Sequence, residues 1–210
     1  MAAITGKPSK AFLTETLERF RKAGVTQYLI YPRSGCELEY LSDEWFEVCC
    51  HIVEECKRLG FTSVWLYDEF NWPSGTCGKR IPHENSDFAA QILCAYNVNG
   101  KIQVEIKRNN NYTDLMNPDA VDRFIELTHE CYFKRLNKWF GTLIKGIFTD
   151  EPDITFYNDC PANEKPLFAM GYYTPPEERD KVKMGMSTYF SSKNFVPFVQ
   201  VVKVRGTYEK

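Results

Sequence analysis

Three times along this chain an amphipathic helical stretch closes on a glycine and runs at once into a short β-rich segment. The stretch from Ser9 to Ala23 carries Leu13, Leu17 and Phe20 at helical spacing, with Pro8 before it and Gly24 after it. These are start and stop signals for a helix. Val25–Tyr31 then reads as a strand that ends at Pro32. Ser42 is placed to cap a second helix, with Asp43 and Glu44 in its first turn, where acidic side chains suit the dipole. Its inward face is Trp45, Val48, Cys49, Ile52, Cys56 and Leu59; Gly60 ends it, and the strand Thr62–Tyr67 comes next. Asn117-Pro118-Asp119 opens the third helix, with Asn as cap and Pro at the first helical position. Val121, Phe124, Ile125, Thr128, Cys131, Tyr132, Leu136 and Trp139 form its inward face, Gly141 closes it, and the strand Leu143–Phe148 succeeds it.

Alternation of this kind builds a parallel sheet with crossover helices, as in a doubly wound fold or a (β/α) barrel. A strand ahead of the first helix would have to lie in Ala2–Thr5. A complete barrel takes about 250 residues, with about 200 as a floor. Three or four units occupy the first 152 of 210 residues. The expected fold is therefore α/β, an incomplete (β/α)8 TIM-type barrel over residues 1–157. A β-hairpin insertion at about 89–107 is marked by the turn signal Asn99-Gly100. Residues 158–210 are expected to be an irregular tail, with 153–180 reading as a long loop and Ser192–Tyr208 as at best one more strand.

Length suits one domain, or one domain plus an appendage, and 43% hydrophobic residues can fill a sizeable core. A formal charge of -2 carries no excess that would favour nucleic acid or an anionic membrane. The opening Met-Ala-Ala-Ile-Thr-Gly-Lys-Pro lacks a secretory apolar region, and no run reaches the roughly 18–20 apolar residues of a membrane span. Among the eight cysteines there is no C-x-x-C pair, and His51, His83 and His129 show no ligand spacing with them. The expectation is a reduced, cytoplasmic chain without a zinc site.

Two of the strands end alike, in Asp68-Glu69 and in Asp150-Glu151-Pro152. Strand ends are where a barrel enzyme presents catalytic groups. Two carboxylate pairs beside aromatic residues suit acid/base chemistry on a carbohydrate, and equally suit a pair of solvated strand-to-loop junctions.

The segments Tyr31-Pro-Arg-Ser-Gly-Cys-Glu-Leu-Glu-Tyr-Leu-Ser-Asp-Glu-Trp-Phe, Trp65-Leu-Tyr-Asp-Glu-Phe-Asn-Trp-Pro-Ser-Gly, Leu115-Met-Asn-Pro-Asp-Ala and Gly146-Ile-Phe-Thr-Asp-Glu-Pro occur in that order. Together they resemble the large bacterial glycoside hydrolases related to the α-L-rhamnosidases of family 106, from about Ile4 to Tyr157. The resemblance implies a (β/α)8 catalytic barrel that hydrolyses a terminal glycosidic bond, and in some members a calcium ion near the sugar. Such enzymes are several times longer than this chain. Their second catalytic carboxylate is expected on a later strand, so truncation would leave the chain inactive or dependent on a complementing partner.

Glycoside hydrolysis ordinarily uses two carboxyl groups, about 5–5.5 Å apart for retention and about 6.5–9.5 Å for inversion. Glu151 is the candidate general acid, expected to be buried at its strand end. Asp150 should turn to the opposite side and hold the loop. Asp68 and Glu69 are candidates for substrate binding, with a salt bridge to Arg33 or Arg80 as the structural alternative. Arg33 has the planar fork to clamp a sugar hydroxyl or carboxylate, or to neutralise Glu37 or Glu39. Trp72 offers a flat face to a pyranose, or an anchor for its loop. His83 reads as a surface residue, and His51 and His129 as structural helix residues. Asp68, Asp150 and Asp153 could donate to calcium, but without EF-hand-like spacing the metal is left unassigned and no cofactor is expected. The partners expected are a carbohydrate and, through an open sheet edge, a second copy or a complementing chain. A non-catalytic sugar-binding remnant and a self-associating half-barrel stand as alternatives.

Overall fold

A computed structural model of the chain describes residues 3–152 and 168–171. It divides into two compact units, Met1–Ala89 with Asn110–Asp153, and Ala90–Asn109 with Ile154–Lys210.

In the first unit, β1 (Ile4–Gly6), β2 (Gln27–Ile30), β3 (Pro32–Cys36), β4 (Ser63–Tyr67) and β7 (Ile144–Phe148) are the strands. Helices α1 (Lys10–Lys22) and α2 (Asp43–Arg58) and the short α3 (Arg80–Glu84) lie between them. The third long helical segment is composite: α4 (Pro118–Ile125), a π-helical turn Glu126–Glu130, α5 (Cys131–Leu136) and a 3₁₀ turn Asn137–Trp139. β2, β4 and β7 form a three-stranded parallel sheet in that order, and β1 pairs in parallel with β3. The architecture is mixed α/β with parallel strands, and no closed barrel forms among the described residues.

The helix signals act as their chemistry requires. Ser9 accepts from the Phe12 amide and Ser42 from the Trp45 amide, each at 3.2 Å. Asn117 accepts from the Asp119 amide at 3.1 Å, with Pro118 in the first helical turn. One face of the parallel sheet carries Tyr28, Ile30, Val64, Leu66 and Ile144, which pack into a single core with Leu13 and Leu17 of α1 and Trp45, Cys49, Ile52 and Cys56 of α2. Each large aliphatic side chain so buried contributes about 1.5–3 kcal/mol. The Trp45 indole donates to the Tyr132 hydroxyl at 3.1 Å, tying α2 to α5 inside that core. On the opposite sheet face Trp65 stands across from Gly146, and a Cβ at that glycine would fall 2.8 Å from the indole. Any side chain at 146 would collide with Trp65.

Two expectations are corrected. The strand read as Val25–Tyr31 forms as Gln27–Ile30, but the stretch from Arg33 read as a loop is itself a strand, β3, which Pro32 begins. Proline is tolerated at the first residue of a strand, where no amide is needed. The neighbouring bonds fall to others: Ile4 N–H donates to Tyr31 C=O and Glu37 N–H to Gly6 C=O, each at 2.9 Å. Arg33 therefore lies within a strand and not in a loop.

The third helix is not a plain α-helix. Its buried residues Ala120, Phe124, Thr128, Tyr132 and Leu136 recur every four positions. At 3.6 residues per turn such a row would drift around the axis. The wider π turn in the middle takes up the difference, and Ile125, read as inward, is 40% exposed.

β5 (Ala89–Val98) and β6 (Lys101–Thr113), which belong to the second unit over Ala90–Asn109, flank the turn at Asn99 and Gly100, where φ is 53° and 78°. Two positive φ values in a two-residue turn define the hairpin geometry that Asn-Gly favours. The Gly100 amide donates to the Asn97 side chain at 2.9 Å. β8 (Phe168–Gly171), inside the stretch read as a loop, pairs antiparallel with Ile92–Ala95. The remainder of the segment read as a tail lies outside the described residues. No helix among the described residues is long and apolar enough to cross a membrane.

Candidate functional site

The two Asp-Glu pairs sit just past adjacent parallel strands. Tyr67, the last residue of β4, is registered against Phe148, the last of β7. The pairs therefore meet at one end of the sheet, but their surroundings differ.

Glu69 is 1% exposed and turned into the loop C-terminal to it. Its carboxylate accepts from the amides of Phe70, Thr76 and Cys77 at 2.9, 2.7 and 2.9 Å, from the Thr76 hydroxyl at 3.0 Å, and from the Gly78 amide. Burial pushes this carboxyl above its ordinary range, and the donors pull the other way. Glu69 thus clamps the 70–78 loop onto the end of β4. Among the described residues it meets neither Glu151 nor a salt-bridging arginine, and its side chain is buried. Tyr112 braces the same loop, donating to the Ser74 carbonyl at 2.7 Å. At Gly75, with φ of 121°, a Cβ would stand 2.9 Å from Leu115.

Asp68 is fully buried. It accepts from the Ser74 hydroxyl on one oxygen and the Thr149 hydroxyl on the other, each at 2.6 Å. Burial raises its pKa, while the two hydroxyls and the nearby His129 oppose the shift. Ser74 in turn accepts from the Asp150 amide, and its own amide donates to the Asp150 carbonyl, both at 2.9 Å. The Tyr67 hydroxyl donates to the Asp150 carboxylate at 3.0 Å. Asp150 is held as a structural group, and with Ser74 and Asp68 it fastens the loop after β4 to the end of β7.

Glu151 is exposed where burial was expected, in a left-handed backbone conformation with φ of 44°. A β-rich strand cannot continue through such a residue. The side chain of Glu151 accepts from the Trp72 indole at 2.8 Å, and Trp72 is itself 40% exposed. The loop clamped by Glu69 thus presents Trp72 to the candidate acid. Arg33 is exposed, its guanidinium 6.0 Å from the centre of the Tyr31 ring. His83 is exposed on α3.

The residues that sequence reasoning missed are Ser74, Thr76 and Thr149, together with His129, which reads from sequence as merely structural. The only signal for the first three was their place beside the acidic pairs. His129 comes to the site because the π turn carries it there: its Nε2 stands 4.0 Å from Asp68 Oδ2.

The calcium implied by the resemblance does not fit these groups. Both oxygens of Asp68 are taken by hydroxyls, the Asp150 carboxylate is engaged by Tyr67, and Asp153 lies outside the described residues. A hard cation needs six to eight oxygens.

Compared with protein-family models, curated proteins and solved structures, the chain has no match.

Proposed function

We propose that this protein is a glycoside hydrolase-like domain, built as an incomplete (β/α)8 barrel, that takes a terminal sugar at the ends of β4 and β7. The observation that carries this reading is the Trp72–Glu151 pair, an exposed indole and an exposed carboxylate bonded at 2.8 Å. An indole face stacks on the C–H face of a pyranose, while the adjacent carboxyl group reaches a hydroxyl or the glycosidic oxygen. Glu151 is then the proton donor to the leaving oxygen, and the buried carboxylates are scaffold. The resemblance to the family 106 rhamnosidases directs the substrate choice toward an α-linked deoxyhexose. A reducing, cytoplasmic setting suits Cys49, Cys56 and Cys77, which are packed as buried thiols.

A second reading is a sugar-binding domain without turnover. It is favoured by one observation: Asp68, Glu69 and Asp150 are all committed to structural bonds, leaving Glu151 the exposed member of the two pairs. Nitrophenol release from aryl glycosides, α-L-rhamnoside included, separates the two when run beside Glu151→Gln and beside sugar titration of tryptophan fluorescence. Turnover lost in the variant supports the hydrolase. Binding without turnover supports the second reading, and neither sinks both.

A further inference from the structure

His129 sits within the five-residue π turn Glu126–Glu130, a local widening that recurs at functional positions in helices. Its neighbours determine where its ring proton lies. The Thr128 hydroxyl donates its one hydrogen to the Phe124 carbonyl at 2.6 Å. The same oxygen lies 2.9 Å from His129 Nδ1, so it must accept there, and Nδ1 carries the hydrogen. Nε2 of the neutral ring is then a lone pair, and it faces Asp68 Oδ2 across 4.0 Å. Two acceptors at that separation have no hydrogen between them. Asp68 Oδ2 is also the oxygen that holds Thr149, and Thr149 immediately precedes Asp150 and Glu151.

We propose that Asp68 and His129 form a one-proton positioning pair: a proton taken up between Oδ2 and Nε2 closes the gap, weakens the hold on Thr149 and shifts the strand end that carries Glu151. This rests on the reading of Glu151 as the working carboxylate. The proton belongs to the pair, and neither residue need become a net ion pair to hold it. Burial lowers the His129 pKa against the pull of Asp68, in keeping with a neutral ring at neutral pH. Among the described residues the other titratable groups near Asp68 are Tyr67, Glu69, Asp150 and Tyr132. Glu69 is saturated by its donors, Asp150 is bonded to Tyr67, and the Tyr132 hydroxyl accepts from the Trp45 indole.

The test is proton–nitrogen NMR on the whole chain, reading the His129 ring and the Trp72 indole N–H across pH. The expected result is an Nδ1–H ring at neutral pH and a component of the Trp72 shift with the midpoint of His129. That component should vanish in His129→Gln and in Asp68→Asn. His129 is one-third exposed, so His129→Gln keeps the test alive should the buried Asp68→Asn fail to fold. An Nε2–H ring at neutral pH, or a Trp72 titration unchanged in His129→Gln, overturns the proposal. Absence of glycoside turnover would sink the functional reading and leave these signals readable.

Discussion

The ends of β4 and β7 carry the same two letters, Asp-Glu, after a parallel strand, and the protein makes opposite use of them. At β4 both carboxylates go inward, because the segment Phe70–Gly78 folds back and aims amides and hydroxyls at them. At β7 Asp150 is held by Tyr67 and Ser74, while Glu151 turns out into solvent in a left-handed conformation just before Pro152. What sets the β4 pair apart is the loop C-terminal to it. The loop after β4, with Ser74, Gly75, Thr76 and Gly78, supplies amides and hydroxyls, which the buried carboxylates satisfy. A proline supplies none. The buried pair builds the surface on which the exposed residue sits.

The comparison can be broken most decisively at Glu151. On a glycoside the protein turns over, Glu151→Gln should cost about 10²- to 10⁴-fold in kcat/KM for natural leaving groups. Its unfolding free energy in urea should change by no more than a surface substitution does, about 0.5 kcal/mol. Glu69→Ala should do the reverse. It strips the acceptor from buried amides, at about 1–3 kcal/mol for each group left unsatisfied, so a loss of about 3 kcal/mol or more is expected in urea unfolding. If both variants behave alike, the division between scaffold and site fails.

The pH dependence of Asp68 sharpens the same contrast. A carboxyl whose folded pKa is raised contributes stability that is present below its unfolded value near 3.9 and is lost as pH rises through the folded value. Unfolding free energies of the wild type relative to Asp68→Asn should therefore decline with rising pH over that window. A relative gain would mean that the Ser74 and Thr149 hydroxyls outweigh burial. The smallest effect is expected at Arg33, whose guanidinium stands 6.0 Å from the Tyr31 ring at an exposed position. Arg33→Ala should change stability by under about 0.5 kcal/mol, and an appreciable rise in KM would show that the guanidinium meets substrate.

Much of the frame was legible in the chain. Gly24, Gly60 and Gly141, with φ of 87°, 75° and 75°, close helices where the glycines announced an end, because only a residue without a Cβ takes that turn cheaply. Ser9, Ser42 and Asn117 cap as their side chains dictate. The π turn had a signature in the four-residue spacing from Ala120 to Leu136, masked because apolar residues at Val121, Ile125 and Cys131 also satisfy an α-helical face.

By itself, then, the sequence determined the helices, their ends, the alternation with strands and the Asn99-Gly100 hairpin, since each depends on residues within a few positions of one another. Which acid is buried was decided only in the tertiary structure. Glu69 depends on amides seven to nine residues away, and Asp68 on a hydroxyl from β7's end and on His129, which a widened turn about sixty residues further along the chain brings to it. A carboxylate's role depends on its solvation and its donors, and those are set by whatever the fold brings against it.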